Sequence, residues 1–387
     1  MDISALEENL KGTKAVELLS REILNSISQG DTARTDLLFD TVANTSKISK
    51  PSIAILLKKS LDGIEKSSTE IEERIRIYNR LIQWAEAHKR NLLKIDFDIR
   101  KIEGLFLMKD YEGALNLIRT TVKLLKKADD KLGLVKLFYL ESKVFYALKN
   151  ISKAKSALTL SKSTATFVYC PSFLQAKIDL LSGVYAADEK EYSISAGYII
   201  EAMDGFSLAG DKEMTAQCCR YLILVKILDN KSAEIPSLLQ NKVPSSVSKN
   251  DQCINMLSSI GKCVINRDLR QCKDIIDKNM TMIEADEFLM NHLISLCDSL
   301  IDANILKIIE PYSNINIEHI GNILNFSIEV IEDRIRRMIL DEKIKGDIDQ
   351  ETMCINIQRD EVKKNYREEA EEILNVLSDA INTIISK

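Results

Sequence analysis

The chain has 387 residues, 45% of them hydrophobic and 29% charged, with a formal net charge of −5. This composition suits a soluble globular chain of two or three domains, and the charge balance gives no general attraction to nucleic acid or membranes. Gly (13) and Pro (5) together stay under 5%, against roughly 12% in average proteins, which excludes a turn-rich β-sandwich or barrel.

The first ten residues carry Asp2, Glu7 and Glu8 and lack the basic and apolar regions of a secretory signal. A reducing compartment is therefore expected, with the eight scattered cysteines kept as thiols. No proline occurs in the 119 residues between Pro51 and Pro171, which reads as packed helices. Ile71, Ile75, Tyr78, Ile82, Ala85 and Leu92 recur at helical steps with one turn skipped, predicting one amphipathic helix across them, and Trp84 is read as interhelical packing.

A loose repeat follows. GLFLMKDYEGA (Gly104–Ala114), VFYALKNISKA (Val144–Ala154) and GVYAADEKEYSISA (Gly183–Ala196) end on alanines 40 and 42 residues apart. Each sets an aromatic near a small residue, then a polar turn, then a new helix start, the layout of tetratricopeptide-like hairpins. Such hairpins stack into a solenoid that presents long surfaces to partners. The longest uncharged run, Ser163–Ala176, has 14 residues, is rich in Ser and Thr and contains Pro171, too short and polar to span a bilayer. Breaks are expected at Gly30–Asp31, Thr45–Pro51, Gly210–Lys212, Asp229–Pro236 and Pro244–Asp251.

After Ile309 the pattern changes. Glu310-Pro311-Tyr312 ends a helix, and Ile317, Ile320, Ile323 and Leu324 form a short amphipathic segment. Ser327 is set to cap a second helix carrying Val330, Ile331, Ile335, Met338 and Ile339. Lys343–Ile348 and Met353–Ile357 read as two strands around a turn. Helix, turn, helix, hairpin is the winged-helix order. From Glu361 a last helix carries an apolar stripe of Tyr366, Ala370, Ile373, Leu377, Ala380 and Ile384, widened by Leu374 and Ile381, which must be buried against something. The fold class expected is all-α: a tetratricopeptide-like helical-repeat solenoid (1–230), a module of helical bundle (231–307) plus winged helix with a small β-hairpin (308–358), and a C-terminal helix (359–387).

Catalytic patterns are missing. His88, His292 and His319 share no motif, no C-x-x-C occurs, and Gly261-Lys262-Cys263 lacks the P-loop's earlier glycine, a position held by Met256. No enzyme, cofactor or metal site is expected. Arg334, Arg336 and Arg337 lie on the helix that would enter a major groove, yet residues 308–358 hold ten acidic residues against five basic ones, a balance phosphates repel. One stretch is strongly basic: Arg119–Lys162 has eleven Lys and Arg against three acids, a net of +8. Its residues Arg119, Lys123, Lys126 and Lys127 are candidates for contact with an acidic partner, the alternative being a plain solvated face. Met353, Ile355 and Ile357 are candidates for an apolar strand at a sheet edge, open to strand addition.

Solenoid, winged helix and terminal helix in this order resemble PCI-domain proteins, the scaffold subunits of large cytosolic complexes, and among them the lid subunits of the 26S proteasome. The residues that carry the resemblance are YCPSFLQAKIDLLSGVYAADEKEYSISAGYIIEAMDGF (Tyr169–Phe206), NILKIIEPYSNINIEHIGNIL (Asn304–Leu324) and RRMILDEKIKGDIDQ (Arg336–Gln350). The resemblance implies a non-catalytic scaffold in the cytoplasm and nucleus. It implies winged helices of several PCI-domain lid subunits paired edge to edge, C-terminal helices gathered in one bundle, and a solenoid reaching the proteasomal ATPase ring and the α-ring of the core particle. No nucleic acid, membrane or small-molecule substrate is expected as a partner. A scaffold of another PCI complex, the COP9 signalosome or the translation initiation factor 3 assembly, and a winged-helix nucleic-acid adaptor stand as alternatives.

Overall fold

The structure is a computed structural model; it describes residues 50–66, 70–241, 243–244, 251–284, 286–324, 326–349 and 353–357, with 22, 25 and 374 besides. The chain divides into two compact units, residues 1–230 with 236–254, and residues 231–235 with 255–387.

In the first unit the longer described helices are α1 (Lys50–Lys66), α2 (Ile71–Ala87), α3 (Asn91–Leu107), α4 (Tyr111–Ala128), α5 (Lys131–Ala147), α6 (Ile151–Ala165), α7 (Ser172–Asp188), α8 (Tyr192–Ala209) and α9 (Lys212–Leu228). Each packs on its neighbours in sequence, most closely within the hairpins α5–α6 and α7–α8. The repeat alanines Ala114, Ala154 and Ala196 are all buried, where a larger side chain would hold the helices apart.

The hairpin turns share one construction. Lys109, Lys149 and Lys190 take left-handed backbone conformations, with φ of 64°, 58° and 66°. At the first turn Lys109 N donates to the Phe106 carbonyl (3.1 Å) and Asp110 N to the Leu105 carbonyl (3.0 Å), and the other two turns repeat this closure. The residue after the lysine starts the next helix. Asp110 accepts from Gly113 N and Asn150 from Lys153 N, whereas Glu191 makes no such cap.

The same turn corrects the expected helix through Leu92. Lys89, at φ 53°, ends α2 at Ala87, and Leu92 lies exposed on α3. Trp84 packs half-buried against the cluster of Ile53, Leu56, Tyr78 and Leu81, with the Arg90 guanidinium 5.0 Å from the ring centroid.

Two devices join the helices of the repeats. Ser142 Oγ on α5 donates to the Ala154 carbonyl of α6 (2.8 Å), and the Tyr185 hydroxyl of α7 is shared between Ser142 Oγ (2.7 Å) and the Ser142 carbonyl (3.1 Å). Tyr146 stacks on Tyr185 with centroids 5.0 Å apart and donates to Asp188 at 2.8 Å. Between α7 and α8 the contact is backbone-close: Ser195 Oγ donates to the Gly183 carbonyl at 2.7 Å. A Cβ on Gly183 would stand 2.7 Å from Ile199 Cγ1.

One buried charge stands out. Asp98 on α3 is 3% exposed. Burial pushes its carboxyl up to about 6, with Lys94 and Lys101 pulling against it. The folded chain then holds this proton up to about pH 6, whereas the unfolded chain releases it near the ordinary aspartate value of 3.8. Stability therefore falls as pH rises between these values and is flat above them. Asp98→Asn is expected to raise stability at pH 7 by up to about 3 kcal/mol, with the gain gone at about pH 4. Urea melts of both chains at the two pH values measure this.

In the second unit α10 (Gln252–Asn266, begun in the first), α11 (Leu269–Lys278) and α12 (Glu287–Ile309) precede β1 (Asn314–Asn316), α13 (Ile317–Leu324), α14 (Ile328–Leu340), β2 (Gly346–Asp349) and β3 (Cys354–Ile357). Ile305, Ile309, Ile315, Ile317, Ile320, Ile331, Ile335, Met338, Ile344 and Ile355 form one core here. The winged-helix order is present, with a third strand added: the sheet is antiparallel in the order β1-β3-β2. The strand expected from Lys343 begins instead at Gly346, because the Asp341–Ile344 segment turns back on α14. Glu342 has φ 57°, and Lys343 N and Ile344 N both donate to the Met338 carbonyl.

Candidate partner-binding surfaces

Among the described residues no group of three or more His, Cys, Asp or Glu could hold a metal ion. The three histidines sit apart on different elements: His88 exposed at the end of α2, His292 buried on α12 against Phe288, and His319 exposed on α13. No helix of the described residues is long and apolar enough to cross a membrane.

The arginines of α14 are matched by carboxylates. Arg334 bonds Asp298 and lies 3.5 Å from Asp302, both on α12, and Lys343 Nζ reaches Asp302 at 3.1 Å. Arg336 pairs with Glu332 (2.7 Å) and Arg337 with Asp333 (2.6 Å), one helical turn away in each case. Each of these arginines thus has a carboxylate partner among the described residues.

The strand with Met353, Ile355 and Ile357 is not a sheet edge, contrary to the sequence reading. β3 is the central strand. Ile355 faces Ile315 of β1 on one side and Ile348 of β2 on the other, so both rows of backbone groups are used. Ile355 is 0% exposed and belongs to the core. Met353 lies one residue before the strand in a left-handed turn and is 41% exposed. The outer edges of the sheet belong to β1 and β2. The unforeseen strand is Asn314–Asn316, three residues with one apolar position between two asparagines, too short for an alternating pattern.

The basic stretch spreads over α4, α5 and α6. On α4, Ala114, Ile118, Thr121 and Leu125 face inward, which leaves Arg119, Lys123, Lys126 and Lys127 together on the exposed face. Much of the remaining charge is used internally. Lys143 lies 4.8 Å from the Phe106 ring and 5.8 Å from Tyr139, and burial lowers its ammonium pKa, helped by Lys177. Lys162 sits 4.0 Å from the Tyr198 ring, and Lys155 pairs with Glu189. Glu141, whose carboxyl is pushed up by burial, is steadied by Arg119. Lys123, Lys126 and Lys127 are exposed and form no salt bridge with the described residues.

Comparison with known proteins covers both units. A PCI domain profile matches residues 276–359. Over 344 residues the chain is 31% identical to the probable 26S proteasome regulatory subunit rpn6 of Schizosaccharomyces pombe, covering 89% of this chain and 80% of that one. It is 30% identical over 315 residues to the 26S proteasome non-ATPase regulatory subunit 11 homolog of Arabidopsis thaliana (81% and 74% covered). It is 26% identical over 335 residues to the 26S proteasome regulatory subunit RPN6 of Saccharomyces cerevisiae (86% and 77% covered).

The chain belongs to the Rpn6 family of 26S proteasome regulatory subunits. The PCI domain of this Rpn6-family chain thus includes the winged helix and its three-stranded sheet. The C-terminal stripe of Tyr366, Ile373, Leu377, Ile381 and Ile384 lies outside the described residues; Leu374, within that stripe, is helical and 64% exposed. Sequence reading also gave no surface role to two exposed aromatics. In the α6–α7 connection of this Rpn6-family chain, Phe167 is 76% and Tyr169 91% exposed, in a run that the sequence reading used only to exclude a membrane span and, from Tyr169 on, to mark the family resemblance.

Proposed function

We propose that the chain is a non-catalytic scaffold subunit of the lid of the 26S proteasome regulatory particle, holding lid, ATPase base and core particle together in the cytoplasm and nucleus. Similarity to 26S regulatory subunits running through solenoid and winged helix alike carries this reading. In it, the solenoid face of Arg119, Lys123, Lys126 and Lys127 meets an acidic surface on the ATPase ring or the α-ring. The outer edges of β1 and β2 offer unpaired backbone to the winged helices of other PCI-domain lid subunits. The apolar C-terminal stripe enters a shared helical bundle.

Affinity purification of the tagged chain, with identification of what accompanies it, is the deciding experiment. Proteasomal ATPases and lid subunits in stoichiometric amounts are expected. Their absence, or peptide, ubiquitin-conjugate or ATP hydrolysis that maps to a residue of this chain, would refute the reading. Deletion of residues 361–387 is expected to abolish incorporation. Reversing Lys123, Lys126 and Lys127 to Glu should slow association about tenfold or more at low salt and much less at high salt, with the melting temperature unchanged.

A further inference from the structure

The second unit holds a cleft of about 440 Å3 that no part of the scaffold role proposed above uses. The last two turns of α12 form one wall. The α10–α11 turn forms another. There Arg267 takes a left-handed conformation at φ 55°, and Asn304 Nδ2 of α12 donates to its carbonyl at 3.4 Å. The α14–β2 turn and the end of β3 complete the lining. That turn is pinned in place, since Lys343 N and Ile344 N both donate to the Met338 carbonyl.

The lining divides by chemistry. Its floor is apolar: Ile309 and Ile344 are buried, Ile357 is half-buried, and Leu306 stays 38% exposed. Its rim is cationic, with Arg267, Lys307, Lys343 and Lys345 against the single carboxylate of Glu310. This concentration is local. Residues 308–358 carry ten acidic residues and five basic ones, and the three arginines among the five pair with carboxylates. The other two, Lys343 and Lys345, both line the cleft. Lys343 is held by Asp302 at 3.1 Å. Arg267 and Lys307 are exposed, form no salt bridge with the described residues, and are the charges left for a ligand. Glu310 and the carbonyl end of α12 oppose an anion, so a ligand must be held by more than charge.

We propose that this cleft docks a short acidic segment of another protein, with an aliphatic side chain on the floor and carboxylates on Arg267 and Lys307. Each half of the lining excludes a different occupant. Nucleic acid offers nothing apolar to Leu306, Ile309 and Ile357, and a polyanion running beyond the cleft meets the acidic surplus of the winged helix. A purely apolar peptide leaves Arg267 and Lys307 unanswered. A segment of both characters satisfies both surfaces: the floor supplies affinity, and the cations supply orientation and encounter rate. The volume lies within the range of sites that enclose a small ligand, and the pinned turns leave little backbone to order on binding.

The inference goes beyond the proteasomal reading and does not rest on it, because binding is measured on the purified full chain alone. The chain is titrated into a fluorescein-labelled decapeptide of alternating leucine and glutamate, followed by fluorescence anisotropy. Saturable binding that weakens with salt is expected. Replacing the leucines by serine is expected to weaken it about tenfold or more. Polyglutamate and a single-stranded oligonucleotide of ten bases are expected to bind about tenfold less tightly or worse. Arg267→Glu with Lys307→Glu should cost about tenfold or more at low salt, whereas Lys262→Glu, exposed on α10 outside the cleft, should change nothing.

A benzophenone in place of one leucine maps the site by photo-cross-linking, with label expected on the end of α12 and on Ile344 and Lys345. No saturable binding, equal binding of polyglutamate or of the oligonucleotide, cross-links on the basic face of α4 instead, or wild-type affinity in the double reversal would each overturn the proposal. The cross-link map is made on the unaltered chain, so it decides even where a variant fails to fold.

Discussion

Gly183→Leu is expected to pry α7 from α8 and destabilise the solenoid by about 2–6 kcal/mol. Two effects add. The new Cβ would stand 2.7 Å from Ile199 Cγ1 and 3.3 Å from the Ser195 carbonyl, so the helices must separate. Overpacking of this kind costs about 1–3 kcal/mol. Separation also strands the buried Ser195 hydroxyl, which now donates to the Gly183 carbonyl at 2.7 Å, a further loss of about 1–3 kcal/mol. Gly197, on the same α8, provides the control, because a Cβ there would meet nothing within 4 Å. Gly197→Ala should stabilise by up to about 1 kcal/mol through helix propensity alone. Thermal melts followed by circular dichroism compare the two, and equal shifts of the same sign would show that hairpin proximity is not what Gly183 provides.

The second large effect belongs to the winged helix. Ile355→Asp puts a carboxylate into the isoleucine core at a position with 0% exposure and is expected to destabilise this unit by at least about 3 kcal/mol. Met353→Asp, two residues earlier and 41% exposed, should change stability by no more than about 0.5 kcal/mol. Peptide-level hydrogen exchange over residues 305–357 reads the difference. A sheet edge at β3, as the alternating sequence suggested, would make both substitutions mild, so strong protection loss in Ile355→Asp alone distinguishes the central strand from the edge.

The repeats were legible because buried alanines recur at nearly constant spacing, a pattern that close helix approach imposes on any hairpin stack. The α2–α3 break was not. Helices that end in a left-handed residue usually announce it with glycine, as Gly210 does at φ 79° after α8; here Lys89, Lys109, Lys149 and Lys190 take that conformation and leave no mark in composition. The winged helix was legible from its order of elements and its isoleucines, but β1 was hidden by its length and by the 42-residue separation between Asn314 and its partner Asn356. Of the candidate surfaces, the basic face of α4 was marked in the sequence by its charge balance, and the inward row of Ala114, Ile118, Thr121 and Leu125 accounts for its exposure. The place of Ile355 was not marked, since an apolar position flanked by polar ones fits an edge and a central strand equally until its neighbours are known.

The sheet order also governs what happens while the chain is being made. Each solenoid hairpin joins neighbours in sequence and can close as soon as its second helix has been synthesised. β1 and β2 have no such neighbour. They pair only with β3, which is synthesised after both, so a nascent or prematurely terminated chain that stops short of Cys354 displays two strands with nothing between them. Until that last strand arrives, the wing is a site for mispairing and for chaperone capture, and ribosomal stalling within residues 346–353 would yield a product whose solenoid is sound and whose PCI domain is not.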